Sequence, residues 1–345
     1  MTVNRATLHH LSIPLKGRFH TATGDIGARE FGILEVETDS AVGWGEAPPY
    51  PGQDESFESV LEAVTNGSTT PTLRTAIEFA LVDASARADG QSLGSVMGVT
   101  RNAIPASIAV GLGGDPRAMV ESAAALGVSR FKVKVAPGHV LHVADVVDAQ
   151  PQAIVGVDAN GSFDRTTIEE LEAIADLGIA YLEQPCSPSD EATLDRLRQI
   201  IDAPVFADET VRSASDATLA LSSTLINGVV VKPGRLGFAG SLATIAEVDR
   251  RGKRWRASGL LESGIGRSFS DLFAGLPTAF VSDVAPANWF FERDIVETRF
   301  VDGQMLLPTG PGIGVEPDPD LMDRYRIQTI DATESVRRWE ALDRG

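Results

Sequence analysis

Five charged residues recur along this chain at intervals of 24 to 25 positions, and each one ends a short apolar run. They are Lys134, Asp158, Glu183, Asp208 and Lys232. An interval of this length accommodates one strand and one helix with their turns, which is the kind of connection that parallel strands require. The spacing therefore predicts that the five side chains lie at the carboxyl ends of five consecutive parallel strands.

The middle of the sequence repeats an apolar run, a polar turn and an amphipathic stretch. Helical spacing of apolar residues is found over 116–125, 165–176, 190–200 and 238–250. The candidate strands are 104–110, 131–135, 154–158, 180–183, 205–208, 228–232, 254–258 and 279–283. Eight alternating strand and helix units predict a (β/α)8 barrel, an α/β fold whose site lies at the carboxyl ends of the strands.

The first hundred residues follow a different pattern, typical of a mixed α+β domain. Segments 3–15 and 30–47 alternate like strands, with a turn predicted at Gly43-Trp44-Gly45, and 56–65 and 72–90 have helical spacing. We therefore predict an α+β domain over 1–100, the barrel over 101–290, and a segment over 291–345 that packs back on the first domain.

Composition excludes several classes of function. The formal net charge of −18 disfavours binding to nucleic acid or to membrane surfaces, because phosphate groups would repel the protein. No apolar stretch is long enough to span a bilayer, and the N-terminus does not have the pattern of a secretory signal. With Cys186 as its single cysteine, the chain fits a reducing compartment, and we expect a cytoplasmic protein in which Cys186 fills apolar space.

Three of the five charged residues are carboxylates on adjacent predicted strands. Asp158, Glu183 and Asp208 should converge above the barrel, where their mutual repulsion would be relieved by a divalent cation. An all-oxygen ligand set suits Mg²⁺ or Mn²⁺, and the chain shows no His or Cys spacing that would suit Zn²⁺. The sequence thus predicts a metal site for Mg²⁺, with Mn²⁺ as the alternative.

Each residue taken alone has a simpler interpretation. A strand-end aspartate often caps the following helix, Glu183 could be a solvated turn residue, and Lys232 could be a loop charge. Independent caps and loop charges have no reason to keep one interval through five ionisable residues. The shared interval favours a functional cluster.

Lysines flank the predicted cation. Lys132 and Lys134 point to the same side of one strand because residues i and i+2 share a face, and Lys232 stands on the other side. Burial and neighbouring positive charge lower the pKa of a lysine, so we expect a neutral amine that abstracts a proton α to a carboxylate. The resulting enediolate can be reprotonated or can expel a leaving group, so racemisation and β-elimination both stay open.

The chain resembles the muconate-lactonizing-enzyme subgroup of the enolase superfamily over nearly its whole length. The motifs that carry this resemblance are Lys132-Val133-Lys134, Asp158-Ala159-Asn160, Glu183-Gln184-Pro185, Asp208-Glu209 and Lys232-Pro233-Gly234-Arg235. A lysine base with Mg²⁺ stabilising an ene-diolate is the known pattern of this superfamily. The resemblance implies an α+β capping domain over a barrel, Lys134 as the base, Lys132 beside it and Lys232 on the opposite face.

Within the subgroup, segments 259–267 and 308–315 resemble the branch of o-succinylbenzoate synthases that also contains N-succinylamino acid racemases. This implies a small carboxylate substrate and a dehydration of 2-succinyl-6-hydroxy-2,4-cyclohexadiene-1-carboxylate in menaquinone biosynthesis. A racemase or cycloisomerase of the subgroup is the alternative. Residues expected to contact the substrate or support the site are Asn160, Arg235, Glu209, Ser258 and Glu262.

Two departures from the branch bear on specificity. The stretch between Tyr50 and Thr72 is short, and the Asp283 region has no second aspartate two residues on, which disfavours dipeptide epimerisation. We expect substrate specificity to come from segment 18–27 of the capping domain. A homo-oligomer is possible, and a non-catalytic barrel is the alternative from a different class.

Overall fold

The computed structural model describes residues 1–21, 24–50, 55–277 and 279–343. The N-terminal elements, in chain order, are β1 (Val3–Thr21), β2 (Gly24–Thr38), β3 (Val42–Ala47), α1 (Phe57–Thr65), α2 (Pro71–Ala88) and α3 (Leu93–Met97). The central elements are β4 (Ala103–Pro105), β5 (Ile108–Val110), α4 (Pro116–Ala124), β6 (Arg130–Lys134), α5 (His142–Ala149), β7 (Ile154–Asp158), a 3-10 helix (Ile168–Leu177), β8 (Tyr181–Glu183), α6 (Glu191–Ile200), β9 (Val205–Ala207), α7 (Ala214–Ala220), β10 (Gly228–Val231), α8 (Pro233–Arg250), β11 (Arg254–Ala257) and α9 (Gly264–Ala274). The remaining elements are α10 (Ala287–Phe290), β12 (Phe300–Val301), β13 (Gln304–Leu306), α11 (Pro319–Tyr325), β14 (Arg326–Asp331) and α12 (Thr333–Asp343).

The N-terminal elements form an antiparallel sheet in the order β14-β1-β2-β3, with α2 packed on β3. Helix α2 begins where Thr70 accepts a hydrogen bond from the Leu73 amide, with Pro71 in the first turn. The helix approaches β3 so closely that a Cβ at Gly43 or Gly45 would lie within 2.0 Å of a helix carbonyl oxygen. The predicted turn at Gly43-Trp44-Gly45 is therefore wrong, because these glycines lie within a strand and permit close helix packing.

The central strands form a parallel sheet in the order β5-β6-β7-β8-β9-β10-β11, curled into a barrel with helices outside. Seven of the eight predicted runs contain a strand of this sheet, within the described residues. The eighth, 279–283, is not a regular strand, but the Phe280 and Asp283 amides donate to carbonyl oxygens of β11. Ser107 next to β5 then donates to the Val284 carbonyl, so this segment bridges the two ends of the sheet. The predicted barrel is confirmed.

Two other differences from the expected elements are local. The run 104–110 is divided, because β4 pairs with β13 in a small antiparallel sheet and only β5 joins the barrel. Helix α8 is kinked at Gly237, whose φ of 73° is accessible mainly to glycine. The C-terminal strand β14 pairs with β1. The domain boundaries themselves stay a prediction.

The barrel interior is layered, as alternation along each strand requires. A middle layer contains Tyr181, Phe206 and Arg256, all essentially inaccessible to solvent, below a layer of strand-end polar groups. Gly156 faces Tyr181 and leaves room for its ring. Within the part of the chain that the structure describes, none of the helices combines the length and apolar character that a bilayer crossing needs.

Candidate active site

Strand register brings the predicted site residues together. Lys134 pairs with Asp158, and Asp158 pairs with Glu183, across three adjacent parallel strands. Asp208 directly follows β9, and Lys232 directly follows β10. All five residues of the repeat therefore lie at the carboxyl end of the barrel, where sites of this fold are built.

Lys132 lies at the centre of this group and is almost completely buried. Its Nζ is 3.2 Å from Asp158 Oδ2, 3.2 Å from Glu183 Oε1 and 2.6 Å from Asp283 Oδ2. Ser258 Oγ donates to the same Asp283 oxygen at 3.2 Å. Lys132 thus joins three carboxylates from three separate parts of the barrel wall, and Asp283 is occupied by this contact.

Asp208 forms a second ion-pair group on the other side. Lys232 Nζ donates to Asp208 Oδ2 at 2.6 Å, and Arg235 Nη1 donates to Oδ1 at 3.0 Å. Both oxygens of this buried carboxylate are paired with cations. The predicted neighbour Arg235 therefore acts on Lys232 through a shared carboxylate.

Lys134 is the more accessible lysine of the first pair. Its Nζ is 3.6 Å from Asp158 Oδ2 and donates to Asn160 Oδ1 at 2.5 Å. Asn160 adopts a left-handed φ of 46°, and its Nδ2 donates to Glu209 Oε1 at 2.7 Å. The predicted supporting residues Asn160 and Glu209 thus form a chain of hydrogen bonds that ends on the Lys134 amine.

Burial and the charges of neighbouring groups shift the pKa values of Lys134 and Asp158 in opposite directions. Burial has the largest single effect on the Lys134 amine and lowers its pKa, but Asp158, Tyr50 and Glu183 together raise the pKa above its ordinary value. Burial likewise opposes the charge of Asp158, but Lys132 and Lys134 lower its pKa to about 2. The expected lowering of a lysine pKa is therefore absent here, because the carboxylate charges exceed the effects of burial and of the neighbouring lysine.

The donor set fits a hard divalent cation. Burial, and then the neighbouring Asp158 and Asp208 carboxylates, raise the pKa of Glu183 against the opposing charge of Lys132. Such crowding of carboxylate oxygens is what Mg²⁺ or Mn²⁺ relieves. Among the described residues no three His, Cys, Asp or Glu side chains already stand close enough to hold an ion. In this arrangement the carboxylates are contacted by the side-chain cations Lys132, Lys134, Lys232, Arg235 and Arg256.

Two predicted supporting residues, Ser258 and Glu262, are both buried but contact different groups. Ser258 lies at the end of β11 and contacts Asp283, as described above. Glu262 is fully buried and accepts hydrogen bonds from Arg267 at 3.4 Å and Ser270 at 3.3 Å. Its neighbours include Gly234, whose added Cβ would lie 3.4 Å from Glu262 Oε1. Glu262 therefore packs behind the Lys232 loop.

Sequence reasoning missed Arg256. This fully buried side chain on β11 forms an ion pair with Glu183 and donates to the Tyr181 hydroxyl at 2.6 Å. A signal was available, because Arg256 precedes Ser258 by two positions in a predicted barrel strand and must share its inward face. An arginine at an inward position of a barrel strand requires a buried anionic partner.

Contacts between the capping sheet and the barrel were also missed. Glu46 on β3 accepts hydrogen bonds from the Ser263 and Gly266 amides at 3.1 and 2.9 Å, at the start of α9. Arg29 on β2 donates to the Leu260 carbonyl at 3.3 Å. These buried contacts attach the cap to the loop after β11.

Two predictions about specificity fall largely on residues that the structure does not describe. The side chains of 18–26 lie outside the described residues, and they make up most of the predicted specificity segment 18–27. Residues 51–54 also lie outside them, and they belong to the short stretch between Tyr50 and Thr72.

The fold and the site define a capped barrel protein with lysines arranged around three strand-end carboxylates. The family model of enolase C-terminal domain-like proteins matches residues 116–321, and the chain belongs to the enolase superfamily. An N-succinylamino acid racemase from Thermus thermophilus is 30% identical over 362 residues, covering 95% of this chain and 98% of the relative. An o-succinylbenzoate synthase from Geobacillus kaustophilus is 28% identical over 360 residues, covering 94% and 96%.

A solved structure agrees with this fold. A member of the enolase superfamily from Listeria innocua superposes with a TM-score of 0.87 at 24% identity, covering 96% of this chain and all of that one. This structure confirms the fold, and the family model and the Thermus relative confirm the predicted family. The two named relatives carry the names of different reactions, so membership of the superfamily leaves the reaction open.

Proposed function

We propose that this protein abstracts a proton α to a carboxylate and that its reaction is the o-succinylbenzoate synthase dehydration. The observation that carries the proposal is the register of Lys134, Asp158 and Glu183, which sets a lysine amine beside buried carboxylates at the barrel mouth. Three chemical roles are then available in one place: a base, a cation site and an opposing cation. Full-length similarity to an o-succinylbenzoate synthase supports this choice.

Asp158, Glu183 and Asp208 would hold Mg²⁺ or Mn²⁺, and the cation would supply charge that stabilises the enediolate. When these carboxylates hold a cation, the negative charge that raises the pKa of Lys134 would be offset. The neutral Lys134 amine would then take the α proton as the electrons of the broken C–H bond enter the substrate carboxylate. As they return to form the ring double bond, the C–O bond to the hydroxyl breaks. The Lys134 ammonium gives its proton to the departing hydroxyl, so water leaves and the amine is regenerated.

The chain's other cations orient and stabilise the reacting anion. Asn160 and Glu209 fix the direction of the Lys134 amine through their hydrogen bonds. Lys232 lies opposite and supplies positive charge without exchanging protons in a dehydration on one face. Lys132, held by Asp283, adds positive charge below the site.

N-succinylamino acid racemisation is the second candidate. Lys134 and Lys232 both lower the pKa of Asp158, so both amines act on one carboxylate of the site. Racemisation requires two bases on opposite faces of one intermediate, and these two lysines are the candidates. The Thermus relative supports it at 30% identity. The variant Arg235→Gln discriminates between the two reactions. It removes one of the two side-chain cations that pair with Asp208, so the ion pair between Lys232 and Asp208 becomes stronger. Racemisation should then fall more than dehydration, and equal losses would remove this argument.

The test is a pair of assays on the purified protein with Mg²⁺. Dehydration of the cyclohexadiene carboxylate is followed by absorbance, and N-succinyl amino acids are followed by α-proton exchange in deuterated water. We expect turnover of the first substrate. A protein that binds no divalent cation and exchanges no α proton with either substrate would favour the non-catalytic alternative.

The cytoplasmic location and the homo-oligomer stay predictions.

A further inference from the structure

Arg256 is held from four directions beneath the candidate metal site. Its guanidinium forms an ion pair with Glu183 Oε2, and Nη2 donates to the Tyr181 hydroxyl at 2.6 Å. Nε donates to the Val281 carbonyl at 2.8 Å, and the guanidinium carbon lies 3.8 Å from the centre of the Tyr181 ring. No part of Arg256 is exposed to solvent. The guanidinium therefore has one position and one orientation.

This arrangement makes the two oxygens of Glu183 unequal. Oε2 faces the fixed guanidinium, whereas Oε1 faces the Lys132 amine at 3.2 Å. The Lys132 amine also pairs with Asp283, at the shorter distance of 2.6 Å. The charge of Lys132 therefore stays paired when another cation replaces it beside Glu183. Only Oε1 is therefore able to change its partner without leaving a buried charge unpaired.

We propose that Arg256 is a positioning residue that leaves Glu183 one oxygen for a divalent cation, and that it thereby favours Mg²⁺ over Ca²⁺. The inference rests on the metal site of the proposed function. Mg²⁺ demands near-octahedral geometry with few protein ligands, whereas Ca²⁺ takes six to eight oxygens and accepts both oxygens of a carboxylate. Because Arg256 already pairs with Oε2 of Glu183, Ca²⁺ cannot bind both oxygens of this carboxylate.

The experiment measures the ratio of the Ca²⁺ and Mg²⁺ dissociation constants by calorimetric titration of the metal-free, full-length protein. Removing a buried positive charge strengthens the binding of both cations, and this effect cancels in the ratio. We expect Arg256→Met to lower the ratio by about tenfold or more, since Ca²⁺ gains an oxygen and Mg²⁺ does not. Arg256→Lys, which restores a cation beside Oε2, should return most of the wild-type ratio.

Arg254→Met is the matched control. Arg254 lies on the same strand, two residues earlier, with its guanidinium over the Phe280 ring rather than on Glu183. It removes the same charge from the same strand at a solvent-exposed position, and it should leave the ratio at the wild-type value. An unchanged ratio in Arg256→Met, or an equal change in Arg254→Met, would overturn the inference.

Two further outcomes are distinguishable. If Arg256→Met does not fold by circular dichroism, Tyr181→Phe removes one contact of the guanidinium and keeps its charge. This variant should lower the ratio about two- to threefold, and no change would refute the positioning role. Wild-type protein that binds neither cation overturns the inference together with the metal site. Selective Mg²⁺ binding without α-proton exchange refutes the proposed function alone and leaves the inference standing.

Discussion

Gly156 has a measurable role, because the Tyr181 ring occupies the space where a side chain at position 156 would lie. A Cβ there would be 1.9 Å from Tyr181 Cζ and 2.3 Å from Cε1. Ordinary contacts begin at 3.4 Å, so the ring would have to withdraw by about 1.5 Å in a close-packed interior. The ring cannot withdraw freely, because Arg256 lies on its face and Phe206 meets its edge.

We therefore expect Gly156→Ala to destabilise the protein by about 3–4 kcal/mol. Forcing extra volume into a packed core costs about 1–3 kcal/mol, here about 2 kcal/mol because the ring must move by about 1.5 Å, and loss of the hydrogen bond between Arg256 and Tyr181 adds about 1.5 kcal/mol. In a chain of this size one kcal/mol corresponds to roughly 2 °C, so the thermal midpoint should fall by roughly 6–8 °C.

Thermal and urea unfolding of Gly156→Ala, Tyr181→Ala and the double variant measure this effect. Tyr181→Ala removes the ring, so Gly156→Ala should cost less than about 1 kcal/mol in that background. Gly240→Ala is the control, because its Cβ would meet nothing closer than 3.8 Å within a helix. It should be neutral or stabilising. A Gly156→Ala cost that is equal with and without the Tyr181 ring would refute the reasoning.

The other predictions concern the base, the cation and the link between cap and barrel. Lys134→Ala should lower α-proton exchange by about 10³-fold without shifting the thermal midpoint by more than a few degrees, since the group removed is the proton acceptor. Mg²⁺ at a hundred times its dissociation constant should raise the free energy of unfolding by about 2.7 kcal/mol, and EDTA should reverse this; no shift would argue against the metal site. Glu46→Gln should cost about 1–3 kcal/mol at pH 5.5, because the amide has one accepting oxygen, whereas the two oxygens of Glu46 accept separately from the Ser263 and Gly266 amides. Burial raises the pKa of Glu46 to about 8, so its proton stabilises the folded state at low pH and this stabilisation is lost as the pH rises through 8. The wild-type advantage measured by urea unfolding should therefore shrink between pH 5.5 and 8.5, and a constant difference would contradict the assignment.

Much of the site was available from the sequence because its signal is periodic. One strand and one helix occupy 24 to 25 residues, so a charged residue at each strand end implies a common edge before any contact is known. The alternation of Lys132 and Lys134 likewise implies a shared face. These inferences need only local geometry, and the strand register of Lys134, Asp158 and Glu183 agrees with them.

Other features depend on distances across the molecule. The sequence predicted a turn at Gly43 and Gly45, because glycine occurs both in turns and in strands that a helix approaches closely. The local sequence does not distinguish the two cases. The Glu46 contacts with Ser263 and Gly266 join residues more than 200 positions apart, and no spacing rule predicts such a pair.

The sequence by itself determined the barrel, the edge at which its charges meet and the chemical types gathered there. The tertiary structure decided how those charges are paired: Lys132 with Asp283, Lys232 and Arg235 with Asp208, and Arg256 with Glu183. The physical reason is that strand periodicity is a local property of the chain. Pairing depends on which strands face each other across the barrel and on how far each buried side chain must reach to neutralise a charge.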